Sequence, residues 1–197
     1  MRKVQLMLLA VVALNVRMAA QNDNKVEVFG GYSLEHVAPC GSAGGPAQLS
    51  CQVELGDIPH PSTFNGWDAS VTGYFKHYLG ATADFSGVYG SLSGGSAGGA
   101  STSRYSYLFG PVLALRTQRA TTFVHVLFGA VSQTAAPGGG FNYNGFTWAI
   151  GGGCDAGLTR RLALRIAQLD YEQVKVPNFG GPSAKGFRYS GGVVFRF

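Results

Sequence analysis

Side-chain character alternates at every second residue in several stretches of about ten residues, and that period narrows the fold more than any other feature of the chain. The cleanest case is Gly66–Tyr78, where Trp67, Ala69, Val71, Gly73 and Phe75 alternate with Asp68, Ser70, Thr72, Tyr74 and Lys76. Successive residues of a strand point to opposite faces, so one face here is apolar and the other polar. The pattern predicts eight strands: Lys25–Leu34, Gly66–Tyr78, Ala81–Ser91, Arg104–Leu115, Thr121–Val131, Phe146–Leu158, Leu162–Val174 and Phe187–Phe197. Short turns at Leu79-Gly80, Arg116–Arg119 and Thr159–Arg161 alternate with longer stretches at His36–Asn65, Gly94–Ser101, Gln133–Gly145 and Asn178–Gly186. Long and short connections in strict alternation place every long one at the same end of the sheet. Membrane barrels sort their loops in this way, with an even number of strands of about 9–11 residues each. The expectation is an all-β, eight-stranded antiparallel transmembrane up-and-down barrel, whose closure satisfies every backbone polar group in lipid.

Composition excludes the rivals. Thirty glycines with 13% charged residues is far from the soluble average of roughly 7% glycine and 25% charge, and 46% hydrophobic residues argue against disorder. Met1 to about Ala20 reads as a signal peptide (residues 1–20), with Arg2 and Lys3 before the apolar stretch Val4–Val16. That stretch makes about 20 Å of helix, short of the roughly 30 Å a membrane core requires. Arg2, Lys3 and Arg17 leave with the leader, so most of the formal charge of +5 goes too. No basic run interleaved with aromatics remains, which speaks against nucleic-acid binding. The rest, residues 25–197, forms one barrel domain.

Three cysteines follow the leader. Cys40 and Cys51 share the first long stretch, and export makes a Cys40–Cys51 disulfide the expected pairing, with Cys154 left over.

The inward parity collects charge. Glu27, Asp68, Lys76, Asp84, Asp155, Arg165, Arg188 and Arg196 fall on it, with Asp170 close by. Arg165 and Asp170 are an odd number of residues apart, so both can face inward only if strand seven carries a bulge. Eight strands leave an interior just wide enough for side chains, so these charges are expected to form a plug of salt bridges, with a gated ion path as the rival. Trp67, Tyr105, Tyr107, Trp148 and Tyr189 suit an interfacial girdle better than carbohydrate stacking.

Chemistry finds little foothold. Gly151-Gly-Gly-Cys-Asp-Ala156 fits a dinucleotide fingerprint, but no helix follows, so no cofactor is expected. Glycines there suit close strand approach instead. His36, His60, His77 and His125 show no spacing to a nucleophile, and His125, inside an apolar strand, suits a structural lumen role. No metal-ligand spacing occurs.

The chain resembles the small outer-membrane β-barrel domain family, the OmpA/OmpX-like and opacity-protein-like barrels, from Lys25 to Phe197. The resemblance rests on Trp148–Asp155, Leu164–Tyr171 and above all the C-terminal Arg188–Phe197. A final Phe197 preceded by Phe195, Val193, Tyr189 and Phe187 at alternate positions is similar to the signal that the family's assembly machinery reads. The resemblance implies a bacterial outer membrane location, lipid and the barrel assembly machinery as partners, and an extracellular partner reached through the loops. It implies a non-enzymatic, structural and surface-contact role. A lipid-modifying barrel enzyme is the alternative, and a soluble ligand-binding barrel stands third.

Overall fold

The computed structural model describes residues 26–37, 62–92, 100–117, 119–136, 141–175 and 184–197. These residues form eight strands: β1 (Val26–Val37), β2 (Ser62–Tyr74), β3 (Leu79–Leu92), β4 (Ala100–Arg116), β5 (Ala120–Ala136), β6 (Phe141–Gly157), β7 (Leu162–Lys175) and β8 (Ala184–Arg196). Each strand pairs antiparallel with its sequence neighbours, and β1 closes on β8 from Glu27↔Arg196 to Val37↔Gly186. The result is a closed up-and-down barrel. The proposed leader and the cysteine pair Cys40 and Cys51 lie outside the described residues; Cys154 is free and half-buried on β6.

Burial follows parity, but with the polarity of a soluble protein reversed. Large apolar side chains such as Val71, Phe109, Leu113, Val124, Phe128, Ile150, Leu169 and Phe195 are exposed on the outer face. Carboxylates, guanidiniums and hydroxyls are packed within. A globular core would bury the former, and an exposed belt of that size is stable only against an apolar solvent. The expected girdle residues Trp67, Tyr107 and Tyr189 are exposed on this surface, and Tyr105 and Trp148 are half-exposed. Tyr105 shares a 3.1 Å hydroxyl–hydroxyl hydrogen bond with Tyr89 of β3. Tyr189, Val193, Phe195 and Phe197, the residues expected to form an assembly signal, also face outward.

Two local features differ from or refine the sequence reading. The first hairpin turns at Phe75–Tyr78, earlier than expected, because the amides of Phe75 and Lys76 donate to the Leu79 carbonyl at 3.2 and 3.1 Å. The ladder ends at Tyr74↔Gly80, and Leu79-Gly80 opens β3 instead of making the turn. Gly80 is needed for close approach: a Cβ there would come within 2.6 Å of the Gly73 carbonyl oxygen. On β7, Cys154 faces Ala167 while Asp155 faces Arg165, so Ile166 is an extra residue. The β8 register shifts at the same place, between Arg165↔Gly192 and Gln168↔Ser190. This bulge turns Arg165, Gln168 and Asp170 all inward.

Most strands also run further than alternation alone suggested, notably β5 to Ala136 and β6 from Phe141. The connections at 93–99, 137–140 and 176–183 are correspondingly shorter than predicted, whereas 38–61 remains long. All four leave from one end; the short connections that follow β2, β4 and β6 leave from the other.

Candidate functional site

The lumen is the candidate site, and its charges form a ladder running from the short-turn end toward the other. At the bottom, Glu27 of β1 receives Arg116 of β4 and Arg196 of β8, each at 3.0 Å, and the Tyr74 hydroxyl at 3.2 Å. Arg196 also donates to the Thr121 hydroxyl at 3.0 Å and lies 3.8 Å from Asp155. Asp155 takes both arms of Arg165, at 2.8 and 3.3 Å, a two-point geometry that fixes orientation as well as charge. The Arg165 guanidinium is also held between the Phe29 and Phe123 rings, 4.2 and 4.3 Å from their centroids.

Above it, Gln168 accepts from Arg165 at 2.7 Å and donates to Asp170 at 2.8 Å. Asp170 is the hub: the oxygen that accepts from Gln168 also accepts from Arg188 Nη2 at 2.9 Å, and its other oxygen lies 2.7 Å from His125 Nε2. Arg188, only 1% exposed, spreads its donors over Asp84 (2.9 Å), Ser86 (2.7 Å), Asp170 and Glu172 (3.4 Å). At the far end Arg104 joins Glu35 and Glu172. Asp68 is buried beside this network, and neither of its carboxylate oxygens carries a hydrogen bond among the described residues.

Eight of the nine residues predicted for the lumen therefore lie inside: Glu27, Asp68, Asp84, Asp155, Arg165, Asp170, Arg188 and Arg196. Lys76 does not. It is exposed in the β2–β3 turn, because the chain leaves the ladder after Tyr74 and parity loses its meaning there. Sequence reasoning missed Glu35, Arg104, Arg116 and Glu172, which all join the ladder. Their signal was present as parity: Glu35 continues Glu27 and Glu172 continues Asp170 at even spacing.

Little free space remains. The cavity bordered by Ser70, Thr82, Asp84 and His125 amounts to about 10 Å³, room for about one water molecule. No group of three or more His, Cys, Asp or Glu side chains suited to a metal ion occurs among the described residues. Purified monomer in planar bilayers is therefore expected to give small or rare openings; large, stable conductance would show that the ladder does not seal the bore.

No family model matches the chain, and no curated protein matches its sequence. Solved structures do match its fold. The attachment invasion locus protein Ail of Yersinia pestis aligns over 89% of this chain and 100% of its own, with 16% identity and a TM-score of 0.58. Neisserial surface protein A aligns over 87% and 97%, with 12% identity and a TM-score of 0.62. OprG, an outer membrane protein of Pseudomonas aeruginosa, aligns over 88% and 96%, with 10% identity and a TM-score of 0.50. At such identities the likeness is one of architecture. The chain has the fold of the small eight-stranded outer-membrane barrels, with a lumen that is packed and ion-paired.

Proposed function

We propose that this protein is a non-enzymatic integral protein of a Gram-negative outer membrane, serving as a rigid stave that carries contact segments at the cell surface. The ion-paired lumen supports this reading best. Every guanidinium in it is committed to a carboxylate, so the interior offers rigidity in place of a passage or a substrate cleft. The lipid-modifying alternative would need a base within reach of a nucleophile and of substrate. His125 is 5% exposed and engaged by Asp170, remote from bulk lipid. The segments at 38–61, 93–99, 137–140 and 176–183 leave from one end, opposite the short turns, which suits presentation outside the cell. A surface role is also in keeping with the likeness to Ail, a protein named for attachment and invasion.

Fractionation of cells producing the full chain tests the proposal, with an epitope inserted in 38–61. The expected result is a heat-modifiable band in the outer-membrane fraction, epitope labelling on intact cells, and unchanged lipid A in the deletion strain. Labelling only after lysis would overturn the orientation, and an altered lipid A acylation pattern would favour the enzyme.

A further inference from the structure

Charge in this barrel is sorted by face. Every acid among the described residues, Glu27, Glu35, Asp68, Asp84, Asp155, Asp170 and Glu172, is at most 3% exposed and points inward. The exposed ionised side chains among them are all cations: Lys76, Arg119, Arg160 and Arg161 at the short-turn end, Lys175 and Lys185 at the other. The short-turn cations are not one patch. They are spread over all three turns, Lys76 between β2 and β3, Arg119 between β4 and β5, and Arg160-Arg161 between β6 and β7. A carboxylate at Phe197 would cancel one of them.

Beside them stand large apolar side chains aimed outward: Phe75 (66% exposed), Tyr78 (52%), Leu158 (60%) and Phe197 (69%). In a spanning barrel these anchors mark the edge of the hydrocarbon, which puts the neighbouring cations at headgroup depth. Lys and Arg stems reach naturally along such a boundary, and the Arg fork matches two phosphate oxygens at once. A folded protein partner would need a continuous face. A cation in each turn of the rim instead matches a surrounding annulus of phosphates.

We propose that this rim binds the headgroups of anionic phospholipid in the leaflet around the short-turn end. The proposal rests on the membrane-spanning reading. A chain that never enters a bilayer fails that reading, whereas one that enters without headgroup preference fails this proposal alone.

Native mass spectrometry of the full chain, released from micelles containing equal phosphatidylglycerol and phosphatidylcholine of the same acyl length, reads the preference directly. One cation near an anionic surface contributes roughly fivefold, so preferential retention of phosphatidylglycerol on the order of fivefold or more is expected. Lys76→Gln/Arg119→Gln/Arg160→Gln/Arg161→Gln should bring retention close to parity, while Lys175→Gln/Lys185→Gln at the opposite rim should keep it. Raising the salt on the unaltered protein should erode the preference without any mutation, which keeps the test valid if the quadruple variant folds poorly. Equal retention of both lipids by the unaltered protein would overturn the proposal, as would loss of preference only in the Lys175/Lys185 variant. Displacement of the lipid by inorganic phosphate would point to an ion site, and would overturn it too.

Discussion

Arg188→Ala is expected to cost the barrel its thermal stability outright, or leave no heat-modifiable form at all. The side chain lies at the centre of the bore and faces Asp84, Asp170 and Glu172, with Ser86 taking a further donor. Removing one partner of a buried pair typically costs 3–5 kcal/mol, because the remaining charge stays in low dielectric without compensation. Here one truncation leaves three carboxylates close together, so a loss at the upper end of that range or beyond is expected. Arg116→Ala is the internal comparison. Its side chain is 21% exposed and its ion pair is to Glu27, which keeps Arg196, so only about 1 kcal/mol should be lost. Thermal unfolding in detergent, read by gel mobility, separates the two. Equal and small shifts would mean that water already screens the bore, contrary to the packed lumen described above.

Gly129→Val should fail for a wholly different reason. Gly129 faces inward on β5, beside the Leu108, Leu127 and Ala149 cluster. A Cβ at this position would collide with the main-chain carbonyl of Tyr107 on β4. A flexible side chain could swing away, but a ladder carbonyl cannot, so β4 and β5 must separate or slip. Overpacking costs typically 1–3 kcal/mol where side chains can adjust, and a backbone collision exceeds that. Gly30→Ala and Gly73→Ala are the contrast, since an added Cβ there meets nothing within 4 Å. Refolding yield into detergent should drop severely for Gly129→Val and stay near the unaltered value for the other two. Normal yield for Gly129→Val would show that the β4–β5 contact is loose.

What could be read from sequence was face and order; what could not was length. Alternation assigned Asp68, Asp84, Asp155 and Arg188 to the inner face because a strand has only two faces and the pattern chose between them. The same rule misplaced Lys76, since nothing in Gly73-Tyr-Phe-Lys-His-Tyr78 marks where the ladder stops and the turn begins. It stopped β1 at Leu34 and so lost Glu35, the residue that anchors the upper end of the ladder with Arg104. Arg116 was assigned to a turn for want of a boundary signal, although it ends β4. Strand seven is the instructive case. Arg165 and Asp170 have opposite parity, and only a bulge reconciles two charges that physics wants in one place; the extra residue is Ile166. The pairing of charges across the bore depends on tilt and stagger, which alternation does not encode.

The last strand supplies more than a seam. Arg188 and Arg196 of β8 reach carboxylates on β1, β3, β6 and β7. An open sheet of the first seven strands would carry Glu27, Glu35, Asp68, Asp84, Asp155, Asp170 and Glu172 against Arg104, Arg116 and Arg165. Such a concave surface is strongly acidic and has to stay hydrated. In the closed barrel β8 sets two cations against it, which offsets the cost of holding those acids away from water. Seam and charge balance thus come from the same strand: β8 both pairs with β1 and brings the two guanidiniums that those acids face.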